Sequence, residues 1–250
     1  MKAIIIAAGT GTRLYPITKD IPKSLVDVGQ GLTLLETQLH SLKECGITDI
    51  VMIIGYRAHQ IEAKLDDYRS DFNFEIVYNP FFETSNNLVS VWMARHHFTD
   101  EFITINGDDM FNASVINDLM QSTHPITMVT DVKSQYDDDD MKIISENGLV
   151  KRVSKKVPLD AANGESVGII KFCGDGPEVY TEMLESMVRD PENLNVFYLK
   201  AIQNIIDSGH EVHFSQCEPD DWGEIDFHPD LELIREHVTR LNLVERILRK

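Results

Sequence analysis

Residues 2–25 read KAIIIAAGTGTRLYPITKDIPKSL, and the fold follows from how this stretch is divided. The run from Ala3 to Ala8 is apolar without a break, the pattern of a strand covered on both faces. It ends in small residues and two glycines, followed by Arg13, Pro16, Pro22 and Lys23, with hardly a large side chain at the turn. Such a loop lets a ligand lie directly on its backbone, at the carboxyl end of a strand where open α/β sheets bind ligands. Two common phosphate loops are excluded. The dinucleotide fingerprint would need glycine at position 14, where Leu14 stands, and the Walker pattern is absent.

Strand and helix patterns alternate onward from this stretch. A helix is expected over TLLETQLHSLKECG, with Thr33 as N-cap and Gly46 as stop. DIVMIIGY, FEIVYN, EFITINGDD and ITMVTDV read as strands; AHQIEAKLDDY, NLVSVWMARHH and SVINDLMQS read as helices. From about residue 131 the pattern changes. MKIISENGLVKRVSKK reads as a hairpin turning at Asn147-Gly148, SVGIIKF and EVHFSQC as strands, and PEVYTEMLESMVRD and NVFYLKAIQNIIDSG as helices. The expected architecture is α/β, a Rossmann-like, mostly parallel sheet flanked by helices with an inserted β-rich lobe. One domain is expected over 1–250, divided into 1–130, 131–225 and a closing helical segment over 226–250. The run Asp137–Asp140 reads as a solvated loop.

The 250 residues, 42% apolar and 26% charged, are those of an ordinary globular chain. No apolar run reaches the roughly 18 residues of a membrane span, and the first residues lack the features of a signal peptide. Cys45, Cys173 and Cys217 are odd in number and scattered, which favours reduced thiols in a cytoplasm. A net charge of −18 argues against a nucleic-acid partner and makes any cluster of cations conspicuous. HEVH (His210, His213) is no zinc motif, because residues three apart on a strand point to opposite faces. His96-His97 ends a helix without a partner motif.

AAGTGTRL, followed ten residues after Arg13 by Lys23 within IPKSL, resembles the signature of the sugar-phosphate nucleotidyltransferase superfamily. The resemblance implies a nucleotide cradle at Ala7, Ala8, Gly9, Thr10, Gly11 and Thr12, with Arg13 and Lys23 as catalytic cations. Fixed positive charges there would stabilise a transition state in which pyrophosphate accumulates negative charge. Transfer from a triphosphate normally uses Mg²⁺ held by one or two carboxylates. ITINGDDM and WGEIDFHPDL resemble the superfamily's two metal segments, which assigns Asp108 and Asp226. A lysine on the family's hairpin holds the acceptor phosphate; it maps onto Lys155, less closely onto Lys156.

NPFFETSNNLVSVWMA carries Asn86, Asn87 and Ser90 where sugar-nucleotide members are rich in glycine and threonine. This pattern is similar to the phosphocholine and phosphonate cytidylyltransferases, and an asparagine suits a cytosine edge or a phosphate oxygen. DDDDMKI and GESVGIIKF look like the same branch, so Lys142 and Glu165 join Lys155 as acceptor-binding candidates. The expected partners are CTP and a small phosphorylated or phosphonate acceptor, with no nucleic acid and no membrane insertion, in a monomer or homodimer. For a choline head group, Trp92, Trp222, Tyr56, Phe81 and Phe82 are candidate walls; for an amine, Glu165 or the 137–140 run would supply a carboxylate. Two other readings stand beside this one: a sugar-1-phosphate nucleotidyltransferase using UTP, GTP or dTTP, and a non-catalytic nucleotide-binding regulatory subunit.

Overall fold

The computed structural model describes residues 1–240 together with 243 and 247. The first part of the chain forms β1 (Lys2–Ala7), β2 (Asp27–Gly29), β3 (Leu32–Thr33), α1 (Leu34–Glu44), β4 (Asp49–Ile54), α2 (Ala58–Asp66) and β5 (Asn73–Tyr78). Then come α3 (Asn87–Met93), β6 (Phe102–Asn106), β7 (Asp109–Phe111), α4 (Ala113–Met120) and β8 (Ile126–Asp131). The remainder forms β9 (Lys142–Glu146), β10 (Leu149–Val153), β11 (Gly164–Phe172), α5 (Gly176–Val188), α6 (Leu199–Asp207), β12 (His213–Gln216), β13 (Trp222–Glu224) and α7 (His228–Arg240). The closing helix expected to residue 250 lies, after Arg240, outside the described residues except at 243 and 247.

β1 is apolar from Ala3 onward because it is an inner strand of a nine-stranded sheet ordered β5-β4-β1-β6-β11-β8-β12-β10-β9. Successive side chains point to opposite faces. Ile4 enters the core beneath α3, α5 and α6, while Ala3 and Ile5 enter the core beneath α1, α2 and α4. At about 1.5–3 kcal/mol per fully buried Leu or Ile, these two cores dominate the favourable side of folding. β5, β4, β1 and β6 are all parallel. By chain order they stand 3-2-1-4, so the chain reverses direction between β1 and β6 and opens a crevice at their carboxyl ends.

The region after residue 131 extends this same sheet. β11 runs antiparallel between β6 and β8, and the hairpin β9–β10 forms the far edge. Parallel pairing is therefore concentrated in the first half, and the sheet as a whole is mixed. The hairpin turns at Asn147 and Gly148, both at positive φ (52° and 79°), as that dipeptide favours. The helix over 34–44 carries the full capping box between Thr33 and Glu36.

Several short strands had no signal of their own in the sequence, β13 among them. Trp222–Glu224 forms β13 and pairs with β7, setting Glu224 opposite Asp109. A third core, in which Leu14, Val26, Met110, Ile225 and Ile234 meet, ties the N-terminal loop and β7 to α7.

Candidate functional site

The register Ile6↔Asn106 makes the loops after β1 and β6 leave the sheet side by side. The backbone N–H of Gly107 donates to the carbonyl of Ile6 at 2.9 Å. A Cβ at Gly107 would stand 2.7 Å from that same oxygen, so no larger residue fits without moving a strand end. At Gly9 a Cβ would meet nothing within 4 Å, because the position faces a cavity of about 490 Å³. Ala7, Ala8, Gly9, Thr10, Gly11, Thr12, Arg13 and Lys23 all line this cavity, with Asn86, Asn87, Ser90, Asp108, Lys155 and Asp226. Residues up to 219 positions apart in the chain are thus gathered around one space.

The charged groups at its end form a compact network. Lys23 Nζ lies 2.7 Å from Asp108 Oδ2 and 2.7 Å from Asp226 Oδ1, and Arg13 Nη1 lies 2.6 Å from Asp226 Oδ2. Burial opposes the charge on Lys23, but the two carboxylates outweigh it and raise its pKa above the ordinary lysine value. For Asp226 burial likewise favours the neutral form, and the attraction of Lys23 and then Arg13 holds its pKa below the usual range. Asp226 is free to do this because Asp230 caps α7 instead, accepting from the backbone N–H groups of Asp226 and Phe227 at 2.9 and 2.6 Å.

Behind this network lie two more carboxylates, Asp109, which ITINGDDM offers beside the assigned Asp108, and Glu224, to which the sequence assigned no role. Asp109 is fully buried and neither of its side-chain oxygens has a partner. Burial first, then the charges of Asp108 and Glu224, push its pKa well above the usual carboxylate range. The same combination of burial and neighbouring carboxylates brings Glu224 to about 8. One oxygen from each of Asp108, Asp109 and Glu224 lies within 4.8 Å of the others, the one such group of three metal-ligating residue types among the described residues. Three hard oxygen donors, those of Asp109 unpartnered, beside a cation-lined cradle fit a divalent ion such as Mg²⁺. Asp108 belongs to both arrangements, while Asp226 is bridged to it through Lys23. The signal for Glu224 was present in WGEID, whose first carboxylate went unused. Nothing local marked Gln38, which donates from Nε2 to the carbonyls of Asn106 and Asp109 at 2.8 and 2.7 Å and props the loop from α1.

Asn86 and Asn87 face the cavity, yet part of each side chain is already engaged. Asn86 Oδ1 caps α3 by accepting from the backbone N–H of Asn87 at 2.8 Å, and Asn87 Oδ1 accepts from the backbone N–H of Tyr198 at 2.8 Å. The pair therefore fastens the wall formed by Phe197 and Tyr198 as well as lining it. Ser90 accepts from Asn79 Nδ2 at 2.8 Å and is nearly buried.

A second cavity of about 570 Å³ adjoins the first and shares Asp139, Met141, Glu224 and Asp226 with it. Glu165 lines it, 2.6 Å from Lys133 Nζ, and burial pushes the Glu165 carboxyl up to about 8 against the pull of Lys133. Lys155 lines the first cavity, 3.4 Å from the shared Asp139, whereas Lys156 is exposed and lines neither. Lys142 requires correction as an acceptor ligand. It lines neither cavity, is 1% exposed, and spends its ammonium on the carbonyls of Asp137 and Asp140 at 2.6 and 3.3 Å. Of the five aromatic candidates, Phe82 lines the first cavity and Trp222 the second; Trp92, Tyr56 and Phe81 line neither. His213 stacks on His124 with ring centroids 3.4 Å apart, a packing contact, and neither lines either cavity.

Comparison with known proteins gives a consistent set of matches. The family model described as "Nucleotidyl transferase" matches residues 2–151. The choline-phosphate cytidylyltransferase of Streptococcus pneumoniae is 36% identical over 124 residues, 50% of this chain and 52% of that protein, so the chain spans about half that relative's length. The choline-phosphate cytidylyltransferase of Haemophilus influenzae is 30% identical over 69% of this chain and 68% of that protein. The CTP:phosphoglutamine cytidylyltransferase of Campylobacter jejuni is 24% identical over 93% of this chain and 98% of that protein. Among solved structures, the CTP:phosphocholine cytidylyltransferase from Streptococcus pneumoniae superposes with a TM-score of 0.78 at 24% identity, covering 94% of this chain and 97% of that one. The inositol-1-phosphate CTP transferase from T. maritima gives 0.77 at 21% identity, over 95% of this chain and 96% of that one. At these identities the structural likeness speaks for the fold alone. No helix among the described residues is long and apolar enough to cross a membrane.

Proposed function

Because the chain belongs to the nucleotidyl transferase family, we propose that it is a cytidylyltransferase, moving CMP from CTP to a small phosphorylated or phosphonate head group. The observation that carries this reading is the convergence of Arg13, Lys23, Asp108 and Asp226 at the end of a small-residue cradle that Asn86 and Asn87 also line. The two cytidylyltransferase relatives named for choline phosphate and the one named for phosphoglutamine support CTP as donor.

In this reaction an acceptor oxygen forms a bond to the α-phosphorus as the bond from that phosphorus to the pyrophosphate oxygen breaks. The nucleophile is already ionised at neutral pH, so no general base is needed. Backbone N–H groups of residues 8–12 would hold the nucleotide, since side chains there are too small to block its approach. Arg13 can grip two phosphate oxygens with its planar fork, and Lys23 acts as a point charge on the developing pyrophosphate. Asp108, with Asp109 and Glu224 behind it and Asp226 beside it, would hold Mg²⁺. Bound there, the ion supplies neutralisation of the triphosphate's charge. Lys155, at the junction of the two cavities, would hold the acceptor's phosphoryl group, and Glu165 and Trp222 would face its head group.

Incubation with CTP, UTP, GTP or dTTP and a panel of phosphomonoesters and phosphonates, read by pyrophosphate release, tests the reading. CTP should give the highest kcat/KM with phosphocholine, 2-aminoethylphosphonate or a phosphorylated amide or polyol. Preference for another triphosphate with a hexose 1-phosphate would replace it with the sugar-nucleotide reading. Nucleotide binding without turnover would leave a regulatory subunit.

A further inference from the structure

The four aspartates 137–140 form a largely exposed loop, as expected, but not a loose one. Asp137 Oδ1 accepts from the backbone N–H groups of Asp139 and Asp140 at 2.7 and 3.0 Å, and Asp140 Oδ2 accepts from that of Asp137 at 2.8 Å. The buried Lys142 ammonium ties the carbonyls of Asp137 and Asp140 from below, and Lys133 pairs with Asp140 at 3.1 Å. The turn is therefore built, and the Asp139 carboxylate has no part in holding it together.

Asp139 instead reaches across the mouth of the nucleotide cavity. Its Oδ1 lies 3.4 Å from Lys155 Nζ and 3.7 Å from Arg13 Nη2. It lines both cavities at their junction. A carboxylate between two cations at this junction has the charge sign and the acceptor oxygens of a phosphoryl group. It separates Arg13 and Lys155, which would otherwise face each other as like charges across open space. A doubly charged phosphoryl group would win both cations from a single carboxylate that is half exposed and bound only through exposed contacts.

We propose that Asp139 is a built-in competitor of the substrates' phosphoryl groups, of the acceptor's for Lys155 and of the triphosphate's for Arg13, holding both cations in the free protein and yielding them on binding. The identity of the ligand rests on the function proposed above; the competition itself does not. Asp139 thereby sets how strongly an acceptor must be charged to enter. The rigid turn beneath it keeps the carboxylate close enough to return when the product leaves.

The test compares Asp139→Asn with Asp138→Asn, which removes the same charge from the same turn. Inorganic phosphate binding to the free protein, without CTP, is measured by calorimetry, so a failure of nucleotidyl transfer cannot disguise the outcome. Asp139→Asn should tighten phosphate binding about three- to tenfold, the scale of two lost exposed ion pairs. Asp138→Asn should change it less than about twofold, as expected of a screened charge with no contact to either cation. Equal tightening in both variants would reduce the effect to net charge and overturn the proposal. Weaker or unchanged binding in Asp139→Asn would overturn it too, because Asp139 would then be positioning the cations rather than competing for them.

Discussion

The loop after β1 and the loop after β8 leave parallel strands at the same edge of one sheet, and they are built to opposite rules. The first is small, glycine-bearing and cationic, and its backbone is the working surface. The second is acidic and works through side chains, with backbone carbonyls turned inward to Lys142. They meet where Arg13 faces Asp139 at 3.7 Å. A site for a highly charged substrate in a chain of net charge −18 brings both together, since the cations attract the ligand and the acidic loop occupies them until it arrives.

The comparison breaks most readily at the cationic loop's own partners. Asp108→Asn and Asp226→Asn keep the side-chain shape but remove the charge that Lys23 and a divalent ion require. Each should lower kcat on the order of a thousandfold with the fold retained, measured by pyrophosphate release against a thermal melt. Full activity restored by excess Mg²⁺ would remove the pair from the mechanism. Lys23→Ala comes next, with kcat down about a hundredfold and CTP binding changed far less, because its charge matters most as pyrophosphate departs.

A structural substitution sharpens the same contrast. Gln38→Ala leaves the carbonyls of Asn106 and Asp109 without their partner and should cost about 1–3 kcal/mol in urea unfolding. It should also lower activity, since the Asp108 loop loses its support, while phosphate binding near Asp139 should be less affected.

The smallest effect lies in the acid limb of stability. Glu36 is buried, which favours its neutral form, but Lys64, Tyr68 and Thr33 together hold its pKa below the ordinary value. A carboxylate depressed in the folded state contributes stability that is present above the unfolded pKa, about 4.3. That contribution is lost as pH falls through the lower folded value. Wild type should therefore exceed Glu36→Gln in unfolding free energy at pH 7, and the gap should close as pH drops below about 4.

The cationic loop was legible because its constraint is local. Only small residues permit close backbone approach, and Arg13, Lys23, Asp108 and Asp226 sit in short strings with fixed spacing. The 34–44 helix and the Asn147-Gly148 turn were readable for the same reason, since caps and positive φ angles act within a few residues. The role of the acidic loop was hidden because it depends on partners outside its own stretch, Arg13 126 positions earlier and Lys155 16 positions later. Asp139 differs from Asp138 only in what stands opposite it. Lys142 looked like a ligand because nothing in its neighbourhood reveals that it points inward to two carbonyls. β13 is too short for any periodicity, and it is β13 that delivers Glu224 to Asp109.

The most direct test of the division between the two loops is a pair of KM measurements on Lys155→Ala, with CTP and phosphocholine varied in turn. Lys155 stands at the junction, held by Asp139 of the acidic loop. Its loss should raise the KM for phosphocholine about tenfold, the scale of one charge-assisted contact, and leave that for CTP within about twofold. A rise in the CTP value with the acceptor unaffected would contradict the account and assign both loops to the triphosphate.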